Sequence, residues 1–86
     1  MSLQYIYDFP EDAPHYPNDF YPVQDGLQKL KVKNQFLLDE LRSIESGEWR
    51  KVYQDGYRGR EQVSIHYFES PTGQVFDLKV KSGWSN

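Results

Sequence analysis

The 86-residue sequence contains no cysteine. Disulfide bonds and thiolate metal sites are therefore excluded, and stability must come from the burial of side chains. No run of apolar residues approaches the length of a membrane span, and the N-terminus lacks the positive charge and apolar stretch of a signal peptide. We expect a protein without a membrane partner that is cytoplasmic or is delivered into the cytoplasm of a target cell.

Motifs that mark common enzyme sites are also missing from the sequence. There is no glycine-rich phosphate loop, no GxSxG motif and no pair of histidines at metal-ligand spacing. His15 lies between two prolines with no second histidine nearby, which is typical of a surface residue. We expect no metal and no cofactor, because a metal site needs more ligands than two separated histidines supply.

What the sequence does contain is aromatic residues and an uneven distribution of charge. It has two tryptophans, seven tyrosines and five phenylalanines, each able to bury a large area. Residues 1–25 carry five acidic side chains, no basic one and four of the five prolines, whereas residues 26–86 carry ten basic and eight acidic side chains. We expect residues 1–25 to be an extended, partly docked segment, with Leu3, Tyr5 and Tyr7 as a candidate edge strand. Residues 26–86 are expected to form a single small α+β domain.

Apolar residues at helical spacing predict one or two helices between about residues 27 and 46. The positions concerned are Leu27, Leu30, Leu37, Leu38, Leu41 and Ile44, followed by Ser46 and Gly47 as a stop signal. An alternative is that residues 30–33 form a short strand and Asn34 caps a separate helix. Leu37, Leu38, Leu41 and Ile44 would then pack on the apolar face of the hairpin described below.

Three later segments, at about residues 49–54, 61–69 and 74–81, alternate apolar and polar residues as strands do. They predict an antiparallel sheet of three to four strands. Residues 55–61, which contain two glycines and two arginines, predict a mobile turn or loop. The expected fold class is therefore α+β.

The last two segments predict a β-hairpin around the sequence SPTG. A three-residue loop would mix charged side chains into both faces, whereas a four-residue loop, Ser70 to Gly73 with Pro71 second in the turn, separates them. The four-residue register places six side chains on one apolar face: Val63, Ile65, Tyr67, Phe76, Leu78 and Val80. It also places His66 directly opposite Asp77 on the polar face, with Lys79 diagonal to it.

The polar face of the hairpin contains the residue types needed to cleave RNA through its 2′-hydroxyl without a metal. His66 is the candidate acid or base, Asp77 would orient it, and Lys79 would hold phosphate. The candidate substrate-binding residues are Ser64, Lys81, Arg58, Arg60 and Trp84. A histidine opposite an aspartate is also an ordinary cross-strand pair, so a purely structural role is the alternative.

The segment GREQVSIHYFESPTGQVFDLKVKSGWSN follows a predicted helix and the sequence WRKVYQDG. Residues 35–86 resemble the C-terminal cytotoxic modules of bacterial polymorphic and contact-dependent toxins, many of which belong to the barnase/EndoU/RelE-like group of ribonucleases. The resemblance implies helices that precede a short antiparallel sheet. It also implies His66 as the acid or base and Lys79 as a phosphate ligand.

Two different functions are compatible with these features. The first is a small toxin-like domain that cleaves RNA phosphodiesters without a metal, with RNA and an immunity protein or cellular target as partners. Residues 1–25 would then be a connector, or an internal mimic of the substrate over the basic face. The alternative is a non-catalytic protein-interaction module, such as an immunity-type or phage-encoded inhibitor, that uses the acidic aromatic N-terminal segment. Binding of RNA without cleavage is a third possibility.

Overall fold

A computed structural model describes residues 6–85 and shows an α+β fold with one α-helix and a five-stranded antiparallel sheet in this range. The elements are β1 (Ile6–Tyr7), β2 (Phe20–Lys31), α1 (Gln35–Ile44), β3 (Arg50–Arg58), β4 (Glu61–Glu69) and β5 (Val75–Ser82), with a short 3-10 helix at Pro10–Asp12. The strand order across the sheet is β1-β5-β4-β3-β2. The predicted fold class is confirmed, and Tyr7 lies in an edge strand as predicted, whereas Leu3 and Tyr5 lie outside the described residues.

The α1 helix begins and ends with specific side-chain contacts. The Asn34 side chain accepts a hydrogen bond from the backbone N–H of Leu37, which caps the first turn. After the helix ends at Ile44, the Glu45 carboxylate accepts hydrogen bonds from the N–H and the hydroxyl of Thr72 in the β4–β5 turn. The two contacts of Glu45 fix the C-terminal end of the helix against the hairpin.

β2 extends to Lys31, so the predicted helix does not form over residues 27–31. The alternative of a strand followed by a helix capped at Asn34 is correct, although this strand begins earlier than residue 30 and ends at Lys31. Among residues 6–85, β2 lies at an edge of the sheet and pairs with β3. An edge position tolerates Pro22, which cannot donate a ladder hydrogen bond. The register shifts between Pro22 and Leu27, and Asp25 has a left-handed φ of 60°. The expected boundary between residues 25 and 26 therefore lies inside a continuous strand, at its bulge.

The predicted loop over residues 55–61 is also mostly strand. β3 continues to Arg58 and pairs with β4 along nine successive positions, from Arg50↔Glu69 to Arg58↔Glu61. Only Gly59 and Arg60 form the turn, in which Gly59 has a φ of +64°. Gly56 packs tightly against β2, since a Cβ at this position would lie 2.4 Å from the carbonyl oxygen of Tyr21.

The register of the β4–β5 hairpin differs from the prediction. Gly73 donates its N–H to the Ser70 carbonyl. The N–H of Ser70 donates to the Gln74 carbonyl, so Ser70 and Gln74 close the hairpin and the loop between them is three residues long. The strands do not keep the register of a three-residue loop along their whole length, because the register shifts between His66 and Phe68. This shift avoids the mixing of charged side chains into both faces. The extra residue is accommodated on β5 at Asp77, whose φ of 55° is left-handed. This bulge was not predicted, and its consequence is that His66 lies opposite Lys79 rather than opposite Asp77.

One face of the sheet, which we term the covered face, is packed under the N-terminal segment. Its side chains are Val52, Gln54, Val63, Ile65, Tyr67, Val75, Leu78 and Val80. Residues 8–19, the covering segment, insert Ala13 into this core, and the His15 ring bonds to the Leu78 carbonyl oxygen. The Tyr16 ring packs edge-on against Phe20, with centroids 5.9 Å apart. Tyr7, Tyr16 and Phe20 pack against the same core.

The opposite face, which we term the lysine face, carries a helix at one end. Its side chains are Lys51, Tyr53, Asp55, Ser64, His66, Phe68, Phe76, Lys79 and Lys81. Leu41 of α1 is fully buried beside Trp49 and Phe76, and the Trp49 indole N–H donates to the Glu45 carbonyl. The prediction that α1 packs on the face of Val63 and its neighbours is therefore wrong. The bulge at Asp77 moves Phe76 to the other face, where it forms the base on which the helix sits.

Candidate functional site

A cleft of about 170 Å³ lies on the lysine face, where β3, β4 and β5 run side by side. We term it the His66 cleft. It is lined by Lys51, His66, Tyr67, Phe68, Asp77, Lys79 and Lys81. Four of the residues singled out from the sequence, His66, Asp77, Lys79 and Lys81, therefore line one cleft. Three lysines and one aspartate give this cleft a net positive charge when His66 is neutral.

A chain of buried polar groups forms hydrogen bonds that position His66. Its Nε2 lies 3.0 Å from the hydroxyl of Ser64, which is fully buried. Ser64 in turn hydrogen-bonds the carboxylate of Asp55, which is only 4% exposed. Because a carboxylate only accepts, the Ser64 hydroxyl donates to Asp55 and accepts the Nε2 proton of His66. This arrangement leaves Nδ1 as the proton acceptor of the imidazole.

The Asp55 carboxylate is itself fixed by the C-terminal residues. The backbone N–H of Ser85 donates to it at 3.0 Å, and the Ser85 hydroxyl contacts both of its oxygens. Burial raises the pKa of Asp55, but the hydrogen bonds from Ser64 and Ser85 outweigh burial and lower it overall. Asp55 therefore remains charged and anchors the chain that leads to His66.

The surroundings of His66 favour its neutral form. Burial lowers the pKa of the imidazole below its ordinary value of 6.5, and the ammonium groups of Lys51 and Lys81 lower it further, against a smaller opposing effect of Asp55. The ring of Tyr53 packs edge-on against the imidazole, with centroids 4.4 Å apart. His66 is thus positioned on two sides and is uncharged at neutral pH.

Asp77 does not hold His66 in the way the sequence predicts. Its carboxylate contacts the ammonium of Lys79 at 3.6 Å, and it lies at the bulge rather than across from the histidine. The residue that orients His66 is Ser64, backed by Asp55. The predicted role of Asp77 is therefore taken by a different carboxylate on a different strand.

The remaining predicted residues lie away from the cleft. Arg58 ends β3 on the covered face and bonds the Asp19 carboxylate at 3.1 Å, while Arg60 is exposed in the β3–β4 turn. The Trp84 indole N–H donates to the Gly56 carbonyl, and its ring packs edge-on against Tyr57. The structure does not bring these three side chains together with His66.

A larger groove of about 540 Å³ continues from the His66 cleft toward β2 and α1. The two cavities share the side chains of Lys51 and Phe68. We term the larger one the lysine groove; its other lining residues are Leu30, Lys31, Val32, Lys33, Asn34, Leu37 and Tyr53. The ammonium of Lys51 lies 5.3 Å from the centre of the Tyr53 ring. Cationic and aromatic side chains thus lie side by side in the lysine groove.

Two residues of this arrangement, Lys51 and Asp55, were not among the candidate site residues predicted from the sequence. A signal for Lys51 was present, because a two-residue turn at Gly59 and Arg60 pairs Lys51 with Phe68 and Tyr53 with His66. Asp55 was hidden because it precedes Gly56, and an Asp-Gly pair is a common turn signal.

The acidic residues of the N-terminal segment do not lie over the lysines. Residues 8–19 pack on the covered face, whereas Ile6 packs beside Phe76 on the lysine face. No acidic side chain from residues 6–25 belongs to the lining of the His66 cleft or of the lysine groove, as mimicry of a substrate would require.

Residues 6–85 contain no group of three His, Asp or Glu side chains placed to hold a metal ion. Within the same range, no helix combines the length and apolar character needed to cross a membrane. No protein-family model, curated protein sequence or solved structure matches this chain.

Proposed function

We propose that the protein binds single-stranded RNA across its lysine face and cleaves a phosphodiester bond beside His66 without a metal ion. The observation that carries the proposal is the convergence of Lys51, Lys79 and Lys81 on one cleft that also contains a neutral imidazole. Ammonium groups attract phosphate, and a neutral imidazole is suited to take up a proton.

The lysine groove supports a single strand as the substrate. Tyr53 and Phe68 offer aromatic surfaces on which bases can stack, and Lys33 extends the positive charge beyond the cleft. Stacking of this kind requires bases that are not paired in a duplex. Lys51, shared by both cavities, would contact the phosphate between a stacked base and the reacting bond.

The proposed reaction transfers the proton of the 2′-hydroxyl to Nδ1 of His66. The 2′ oxygen then bonds to phosphorus, the bond from phosphorus to the 5′ oxygen breaks, and the leaving oxygen takes a proton from the ammonium of Lys79. The ammonium groups of Lys51 and Lys81 offset the negative charge that develops on the phosphoryl oxygens. The products are a 2′,3′-cyclic phosphate and a free 5′-hydroxyl.

The test is incubation of the purified protein with tRNA and with unstructured RNA in the presence of EDTA. Cleavage by the wild type is expected to fall about 100-fold or more in His66→Ala, because a positioned acid or base contributes at least that factor. His15→Ala is the matched control, since it removes the other histidine from the covered face and should leave cleavage unchanged.

Two results would contradict parts of the proposal. If wild type and His66→Ala leave RNA equally intact but bind it in a salt-dependent manner, the lysine face binds RNA without cleaving it. If neither cleavage nor binding occurs, the lysine face is not an RNA site.

A further inference from the structure

A second cleft, of about 240 Å³, lies on the covered face between the N-terminal segment and the sheet. Its floor includes Ile65, which is buried, and its rim includes Glu11 and Leu27, which are exposed. It is on the opposite side of the sheet from the His66 cleft, and the proposed RNA chemistry does not use it. We term it the aromatic cleft.

Three aromatic rings contribute to the walls of the aromatic cleft. They belong to Tyr16, Phe20 and Tyr67. The rings of Tyr16 and Phe20 meet at an angle of 73° with centroids 5.9 Å apart, so they form two walls that are nearly perpendicular. The faces of aromatic rings carry partial negative charge and attract cations.

The charges around the aromatic cleft are also negative. Burial raises the pKa of Tyr67 to about 12, and the carboxylates of Glu69 and Glu11 add to this effect. Burial and Glu11 likewise raise the pKa of Tyr16. No lysine or arginine belongs to the described lining of the cleft, and the nearby ammonium of Lys29 is bound to Glu69 at 3.0 Å. A positive ligand would therefore meet a carboxylate and ring faces with no competing cation in the lining.

We infer that the aromatic cleft binds a small organic cation whose charge is surrounded by methyl groups, a quaternary ammonium. The apolar side chains of Pro10, Pro22 and Ile65 suit methyl groups and offer no acceptor to the N–H bonds of a simple ammonium. The volume is below the roughly 300–1,000 Å³ of pockets for drug-sized ligands, so it fits a small molecule or a single side chain.

The test is calorimetric titration of the full chain with choline and with 3,3-dimethyl-1-butanol, its neutral analogue of nearly the same shape. Choline is expected to bind at least about tenfold more tightly, because only the cation interacts with the rings and Glu11. N-acetyl-trimethyl-lysine methylamide represents the same cation on a protein side chain. The cation that binds more tightly identifies the source of the ligand. If neither cation binds, the inference is overturned.

Two variants test whether choline binding depends on the aromatic cleft or on the general acidity of the N-terminal segment. Glu11→Gln should weaken choline binding severalfold without changing the affinity for the neutral analogue, whereas Asp12→Asn, the same charge change at a residue outside the lining, should leave both unchanged. Equal losses in the two variants, or equal binding of choline and its analogue, would overturn the inference. Both substitutions are at exposed positions, so neither depends on whether a core variant folds.

Discussion

At the scale of single residues, the central feature is a histidine whose proton affinity is set by its neighbours. We expect Lys51→Gln to raise the pKa of His66 toward 6.5, because it removes one of the two ammonium groups that lower it. The pKa can be followed by NMR through the ring C–H signals of His66 during a pH titration. Lys29→Gln, a lysine on the covered face, should leave the pKa unchanged. A wild-type pKa at or above 6.5 would contradict the described environment.

The same lowered pKa predicts how stability depends on pH. Below 6.5 the unfolded chain protonates His66 more readily than the folded protein, so the free energy of unfolding should decline as pH falls. The decline should stop once the pH is below the folded pKa of His66. Urea denaturation on either side of pH 6.5 measures this slope, and His66→Gln should reduce it. A slope unaffected by His66→Gln would assign the pH dependence to other groups.

At the scale of elements, the bulge at Asp77 decides which side chains share a face. Its left-handed φ suits glycine, is tolerated by aspartate and is unfavourable for a β-branched residue. We expect Asp77→Val to lower the free energy of unfolding by about 1–2 kcal/mol, while Asp77→Gly stays close to wild type. Lys79→Val, at an exposed position on the same strand, is the control. Chemical denaturation compares them, and an Asp77→Val variant as stable as wild type would indicate an unbulged strand.

The bulges also explain how much of the fold the sequence could predict. Alternation identified β3, β4 and β5, and the cap at Asn34 identified the start of α1, because these signals are local. A bulge inserts one residue and has no distinctive sequence. The predicted faces of Phe76 and Val75 were therefore the reverse of those in the structure. β2 was missed because its leucines are also compatible with helical spacing and because Pro22 argues against any strand except one at an edge.

The candidate site was predictable to a similar extent. His66, Lys79 and Lys81 lie on two adjacent strands of one hairpin, so alternation alone placed them together. The contact of Ser64 with Asp55 joins β4 to β3, and its anchor at Ser85 depends on where the C-terminal residues pack. Such contacts depend on the tertiary structure and leave no periodic pattern in the sequence.

At the scale of the whole molecule, the two faces of the sheet differ in charge, although the net charge of the chain is −3. Carboxylates of the covering segment, such as Glu11 and Asp19, belong to the covered face, and lysines outnumber carboxylates in the cavities of the other face. If RNA binds the lysine face, its affinity should fall linearly with salt on a log–log plot. Replacing Lys51, Lys79 and Lys81 by Gln should reduce the slope by about 2, since each phosphate contact on a single strand contributes about 0.7.

A matched triple variant tests whether this effect is local. Lys29, Arg42 and Arg50 lie outside both cavities of the lysine face, and replacing them by Gln changes the net charge by the same amount. The slope should then stay near that of the wild type in a fluorescence anisotropy titration. Equal reductions in the two triple variants would mean that RNA responds to the overall charge and not to the lysine face.

The pairing of β1 with β5 has a consequence for the time at which the protein can fold during synthesis. The covering segment leaves the ribosome before the strand on which it packs, and about 55 residues separate Phe20 from Val75. At about 5–20 residues per second, its aromatic side chains remain without their core for roughly 3–11 s. Asp55 likewise gains its hydrogen bonds from Ser85 only when that residue has been made. β1 can therefore join the sheet only in a late step, after β5 has been synthesised.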